Sequence, residues 1–295
     1  MRLSIVLLAS ATMPGSPAFM CHAKRRRVAC VSLLSLAMLA FPAFAGPKVW
    51  IFSGDPGDDL HHELYQKNLT SLRKVFTQTY GVSSEDVKIF YGPKDAGYDG
   101  ICTKDVLLAE LKKAAAATKE KSPVWIILQG HANSIPGGVL FNLPGADASA
   151  REIGEALEGA VPETPLVIFA TTAASEHYLR ALAAPGRIVI TANSSGDPEN
   201  QTDFPLALTA ALESKETDAD HDGVVSVTEL FVACHAQIEA MSAKEGYMIR
   251  EHPQMDGNGD GRATRRPAII DAEPASKTGL QIGGAKTNGP VPGFD

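Results

Sequence analysis

Val124-Trp125-Ile126-Ile127-Leu128 is an unbroken apolar run that ends in Gln129-Gly130-His131. Five large side chains without polar alternation describe a strand buried on both faces, as strands are in a parallel sheet. Runs of the same kind recur at 49–52, 87–91, 166–169 and 188–192. Helical patterns separate them, at 63–80, 103–118, 149–157 and 176–182. The first carries Leu64, Leu69, Leu72, Val75 and Phe76 at helical spacing and closes at Gly81, and Thr103 stands where the second needs its N-cap. Strands alternating with helices predict an α/β domain, a doubly wound, mostly parallel sheet with helices on both faces. Residues 139–143, between two glycine-containing turns, read as a short excursion from it. From about residue 204 the pattern turns helical and acidic, with helices at 204–213 and 228–244.

Of 295 residues, 34 are Asp or Glu and 27 are Lys or Arg, a net charge of −7. That balance conceals a polarity along the chain. Arg2, Lys24, Arg25, Arg26 and Arg27 fall in the first 45 residues, which hold no acid, so the remaining 250 carry 22 basic and 34 acidic side chains, a net −12. Such a body lacks the basic stripe that nucleic-acid binding needs, so no nucleic-acid partner is expected. Lys24–Arg27 precede an apolar run from 28 to 40 and then Phe41-Pro42-Ala43-Phe44-Ala45. A basic start, a short apolar core and a small-x-small end describe a secretory signal peptide cleaved between Ala45 and Gly46, with 1–19 an upstream mis-start before Met20. The apolar core is too short to span a bilayer, so no membrane span is expected after cleavage. The protein is expected to be exported, periplasmic or extracellular. Its segments would be an α/β domain over 46–203, a helical segment packed on it over 204–271, and a disordered Gly/Pro/Ala/Lys tail over 272–295. Cys102 and Cys234 remain after cleavage. A disulfide is chemically open to them there, and Cys234 reads as a buried helix thiol.

Asp218-Ala219-Asp220-His221-Asp222-Gly223 followed by Val224-Val225-Ser226-Val227-Thr228-Glu229 matches the EF-hand loop at each constrained position. The spacing has a reason. Asp218, Asp220 and Asp222 put hard oxygens on alternate positions of a tight turn that Gly223 permits. Val224 offers a carbonyl, Ser226 holds a water, and Glu229 binds through both oxygens. Calcium is the expected cofactor. A second run, Asp256-Gly257-Asn258-Gly259-Asp260-Gly261, repeats the first half. Its ligands would be Asp256, Asn258, Asp260 and Thr264, but Pro267 stands where the final Glu belongs, leaving Asp271 to complete a site or the run to be a calcium-free turn.

Catalytic groups in open α/β sheets gather beyond the carboxyl ends of the strands. The third strand ends at His131, and the fourth ends in Ala170-Thr171-Thr172-Ala173-Ala174-Ser175. A histidine on one strand end and a hydroxyl on the next form the skeleton of a nucleophilic pair. Other groups weigh less. Asp55, Asp58, Asp59, His61 and His62 follow the first strand without an enforced metal spacing, so a solvated acidic loop is expected. Gly54-x-x-Gly57 is too short for a dinucleotide fingerprint. His177 and His235 read as ordinary helix residues. The sequons at Asn68, Asn193 and Asn200 matter only in a eukaryotic secretory path.

Over residues 48–192 the chain resembles the caspase/legumain-like clan of cysteine peptidases, whose sheet carries His-Gly after one apolar strand and Ala-Cys after the next. Gly130-His131, the run Pro165-Leu166-Val167-Ile168-Phe169-Ala170 and the strand–helix order carry the resemblance. It is also similar to exported bacterial relatives of that clan through Asn142-Leu143-Pro144-Gly145, Arg187-Ile188-Val189-Ile190-Thr191-Ala192 and the stretch from His252 to Gly261. The resemblance implies a caspase-like fold with His131 at the catalytic histidine position and Thr171 at the cysteine position. Two departures bear on activity: Ala132 replaces the usual Gly, and no Cys occurs between 103 and 233. A thiol supplies thiolate near neutral pH, whereas a threonine hydroxyl needs a well-placed base. The expectation is therefore a calcium-binding pseudo-peptidase that binds a peptide or protein at the strand ends. An active hydrolase using His131 with Thr171 or Thr172, and a purely structural calcium module, stand as the alternatives.

Overall fold

The computed structural model describes residues 46–93, 97–194, 201–266 and 273–282. The expected signal segment lies outside them. Each apolar run of the sequence is a strand: β1 (Lys48–Ser53), β2 (Val87–Tyr91), β4 (Val124–Gln129), β8 (Leu166–Ala170) and β9 (Arg187–Thr191). With the two-residue β3 (Gly100–Ile101) they form six parallel strands, and β11 (Gln254–Asp256) adds an antiparallel edge against β9. The order is β11-β9-β8-β4-β1-β2-β3. The excursion after β4 is a separate antiparallel sheet of β5 (Ala132–Ile135), β6 (Gly138–Phe141) and β7 (Ala148–Ser149).

Burial alternates along the strands by face. Val49 and Ile51 of β1 enter one hydrophobic cluster while Trp50 and Phe52 enter the other. The first cluster is closed by α1 (Asp59–Lys74) with its π-helical continuation Val75–Thr79, α5 (Phe204–Glu213) and α6 (Val227–Glu245). The second is closed by α2 (Lys104–Ala117), α3 (Ala150–Ala156) and α4 (Leu179–Leu182). This is the doubly wound arrangement the uninterrupted apolar runs predict. Thr103 caps α2 by accepting from the Val106 N–H, and Ser149 and Glu152 form a reciprocal capping box on α3. Arg187, buried at the start of β9, donates to the carbonyls of Leu182 and Leu157 at the ends of α4 and α3, both at 2.9 Å. Its charge therefore meets the negative ends of two helices.

One expectation changes. Residues 273–282, placed by composition within a structureless tail, form α7 (Glu273–Lys277) and β12 (Gly279–Gln281), with Ala275 and Leu280 fully buried. Two apolar side chains reaching the core outweigh a polar, glycine-rich composition. Cys102 and Cys234 are free, buried and in opposite clusters, one on each face of the sheet. Burial pushes both thiols up. Among the described residues no helix is long and apolar enough to cross a membrane.

Candidate functional site

β1 leads to β2 on one side and borders β4 on the other, so the chain reverses its winding between β1 and β4. Loops diverge there and leave a crevice at the carboxyl ends. Gly54 and Gly130 let the loops approach: a Cβ on Gly54 would lie 2.3 Å from the Asn142 carbonyl, and Gly130 has φ +134°. Packing, not phosphate binding, is what Gly54 serves.

His131 lies on this crevice, half-buried, with its ring edge-on to His61 at 4.7 Å and 5.9 Å from Tyr65. Its Nε2 meets the Pro56 carbonyl at 3.1 Å. His61 is held in turn. Asp58 N-caps α1, accepting from the His61 N–H at 2.8 Å, and its carboxylate also meets His61 Nδ1 at 2.8 Å. The His61 backbone N–H, then its side chain, lowers the Asp58 carboxyl below its ordinary value. His61 Nε2 contacts the Gln201 side chain. The acidic loop expected to be solvated is therefore a helix cap that brings His61 against His131. Sequence reasoning missed this pairing because the residues lie 70 positions apart. The Asp58 cap directly before a helical run was the available signal.

Thr171 and Thr172 are fully buried. The Thr171 hydroxyl donates to the Leu128 carbonyl at 2.7 Å, and its own carbonyl accepts from Thr202 Oγ1 at 2.5 Å. The Thr172 hydroxyl donates to the Ala173 carbonyl at 3.0 Å. Each hydroxyl thus gives its proton to a main-chain carbonyl, and His131 has its own main-chain partner. A working nucleophile instead gives that proton to its base. Beside the crevice, Asn193, Gln201, Asp203, Tyr247, Arg250 and Glu251 line a groove of about 480 Å³. Tyr247, which lines it, and the following Met248 and Ile249 are exposed. Tyr247 donates to Asp203 at 2.6 Å, and that bond, with partial burial, pushes the phenol up to about 12.

The first acidic loop lies between α5 and α6, and the second follows β11 at the sheet edge. In the first, Asp218, Asp220 and Asp222 each bring a carboxylate oxygen within 4.8 Å of the others. His221 (φ +60°) and Gly223 (φ +85°) make the left-handed turn that gathers them. Asp218 is 7% exposed; its Oδ2 accepts from the Gly223 N–H at 3.1 Å, and its buried Oδ1 has no hydrogen-bond partner among the described residues. Glu229 does not join the three. It forms a capping box with Ser226 at the start of α6 and accepts from the Ala219 and Asp220 N–H groups at 2.9 and 3.3 Å. Burial raises its pKa, and these bonds, those of Ser226 foremost, outweigh burial and lower it. Val224 and Ser226 lie in β10 (Val224–Ser226), paired with β12. The donor set of hard oxygens suits calcium.

The second loop repeats the turn with a different outcome. Gly261 N–H donates to Asp256 Oδ2 at 2.8 Å, Asp260 N–H to Asn258 at 3.1 Å, and Arg262 N–H to Asp260 at 2.8 Å, as Gly223, Asp222 and Val224 do in the first. Asp256 Oδ1, however, accepts from Asn258, Gly259 and Asp260 N–H groups at 3.2, 2.8 and 3.3 Å. Thr264 is not turned to a ligand role: its backbone bridges Met255, and its hydroxyl accepts from the Arg266 N–H. Asp271 lies outside the described residues.

The remaining candidates have structural partners. Asn68 is 3% exposed and joins Gln129 to Thr209 by hydrogen bonds of 2.5 and 2.7 Å. Asn193 is also buried, and Asn200 lies outside the described residues. His235 Nε2 donates to the Pro253 carbonyl at 3.2 Å, and His177 lies beside Glu176 at 3.6 Å.

No family model and no curated protein matches the chain. Among solved structures it is similar to the Drosophila initiator caspase Dronc, at 16% identity and a TM-score of 0.47, covering 75% of this chain and 82% of that one. It is also similar to protein GSU0716 from Geobacter sulfurreducens, at 13% identity and a TM-score of 0.45, covering 76% and 97%.

Proposed function

We propose that this chain is an exported calcium-binding protein built on a caspase/legumain-like sheet, without peptidase chemistry, that binds a peptide or protein at the strand ends. The observation that carries the calcium reading is the buried, unpartnered Oδ1 of Asp218 beside the carboxylates of Asp220 and Asp222. A carboxylate oxygen removed from water without a donor costs about 1–3 kcal/mol or more, and a divalent cation supplies the missing partner. Asp218, Asp220 and Asp222 would hold the ion, which neutralises their mutual repulsion and ties α5 to α6, and Glu229 would join them only by giving up its bonds to Ser226, Ala219 and Asp220.

The non-catalytic reading is supported by Thr171, whose buried hydroxyl is bonded to Leu128 where the clan has its cysteine. The groove beside His61 and His131 supports a binding role. Incubating the full chain with a diverse peptide library, with and without calcium and beside His131→Ala, tests this. Equal background cleavage is expected throughout. Cleavage lost in His131→Ala would establish a hydrolase instead. For calcium, the melting temperature is expected to rise with the ion in the wild type and stay flat in Asp218→Asn.

A further inference from the structure

β10 is not left as a free edge. It pairs antiparallel with β12 in the register Val224 to Gln281, Val225 to Leu280 and Ser226 to Gly279. The pairing extends at both ends. Ile282 N–H donates to the Gly223 carbonyl at 3.0 Å, and Val227 N–H donates to the Thr278 carbonyl at 2.8 Å. Gln281 Nε2 gives the Gly223 carbonyl a second hydrogen bond at 3.0 Å. Ala275 and Leu280 share a cluster with Val225, Leu230 and Phe231. A Cβ on Gly279 would lie 2.5 Å from the Val225 carbonyl and 2.9 Å from Ser226 Cα, so the strands meet this closely only through a glycine.

We propose that residues 273–282 act as an intramolecular clasp on the cation loop, raising its affinity for calcium, and that calcium in turn holds the clasp closed. The proposal rests on the calcium reading of the loop. In this loop pattern the seventh position contributes a main-chain carbonyl and the ninth contributes through its side chain or a water. Here both positions, Val224 and Ser226, lie in β10. An isolated three-residue strand is marginal in water. Ordering it at the moment of ion binding would weaken affinity, and pairing it beforehand removes that cost. The coupling is reciprocal by thermodynamic necessity: whatever factor the clasp adds to calcium affinity, calcium adds to clasp closure.

Calorimetric calcium titration of the full chain and of Gly279→Val tests the first half, and amide hydrogen exchange at Val227 and Ile282, in calcium and in chelator, tests the second. Gly279→Val is expected to bind calcium about tenfold more weakly, or worse, and exchange at both amides in the wild type is expected to slow by a similar factor in calcium. Equal affinity in the two chains, with exchange at Ile282 indifferent to calcium, would overturn the clasp and leave the calcium site standing. If the wild type itself takes up no calcium, the reading of the loop fails and the clasp falls with it. Should Gly279→Val not fold, Gln281→Ala removes one donor to the Gly223 carbonyl and carries the same comparison with a smaller factor, while the exchange measurement needs no variant.

Discussion

The loops 218–229 and 256–264 share Asp at the first and fifth positions and Gly at the sixth and fold the same turn, yet they finish differently. In the second, four main-chain N–H groups satisfy both oxygens of Asp256, which is fully buried. In the first, one N–H satisfies one oxygen of Asp218 and the other oxygen has no partner among the described residues. A shared frame of Asp at the first and fifth positions and Gly at the sixth therefore yields one turn completed by its own backbone and one that leaves an oxygen of its leading carboxylate without a donor among the described residues. What decides is the packing around each. Gly259 presses against the Ala184 carbonyl, where a Cβ would lie at 2.0 Å, so the second loop is tightened onto the sheet edge. At the same position the first loop has His221, exposed and at φ +60°, so nothing presses that turn from outside.

The sharpest way to break this contrast is to remove each leading carboxylate. Asp256→Ala strands four N–H groups in a buried turn, and a loss of about 3 kcal/mol or more is expected, the same in calcium and in chelator. Asp218→Ala is expected to cost little in chelator. In calcium it forfeits the ion's whole contribution, about 2.7 kcal/mol at a hundredfold excess over Kd. Denaturant unfolding under the two conditions reads both. A calcium-dependent penalty at Asp256 would reverse the assignment of the loops.

The glycines give the next contrast. Gly223→Ala meets mainly the cost of a left-handed backbone, about 1–2 kcal/mol. Gly259→Ala meets that cost and a clash with main chain, and is expected to lose clearly more in the same unfolding measurement. Similar losses at both positions would mean that the second loop is not braced by the sheet edge.

The smallest effect concerns pH. Burial, foremost, lowers the pKa of His235, which ties α6 to Pro253 just before the second loop. The unfolded chain then binds the proton more readily than the folded one. The stability from this group is present above the unfolded value near pH 6.5 and is lost as pH falls through the lower folded value. An NMR titration should find the His235 ring titrating below its ordinary value, and His235→Gln should flatten that part of the stability profile. A ring that titrates at its ordinary value would remove the effect.

How far the sequence could be read follows from the same physics. β1, β2, β4, β8 and β9 were legible because burial on both faces demands unbroken apolar runs. β11 was not, because an edge strand of Gln254, Met255 and Asp256 buries one hydrophobic side chain and takes its place from the partner β9. β12 was hidden for a similar reason, with Leu280 alone carrying it into the core. The clustering of the first loop's carboxylates was legible because alternate positions of one tight turn, within a dozen residues, bring them together. The approach of His61 to His131, and the commitment of the Thr171 hydroxyl to Leu128, depend on how separate strands end, and no local pattern records that. Asp58, exposed and charged, read as loop although its position made it a helix cap.

The central claim is that the chain carries one calcium site, made by the loop whose leading carboxylate is left incomplete. Calorimetric stoichiometry measures it directly on the full chain, with Asp218→Asn and Asp256→Asn beside it. One ion per chain is expected, abolished in Asp218→Asn and retained in Asp256→Asn. No uptake, or uptake that survives Asp218→Asn and is lost in Asp256→Asn, would contradict it.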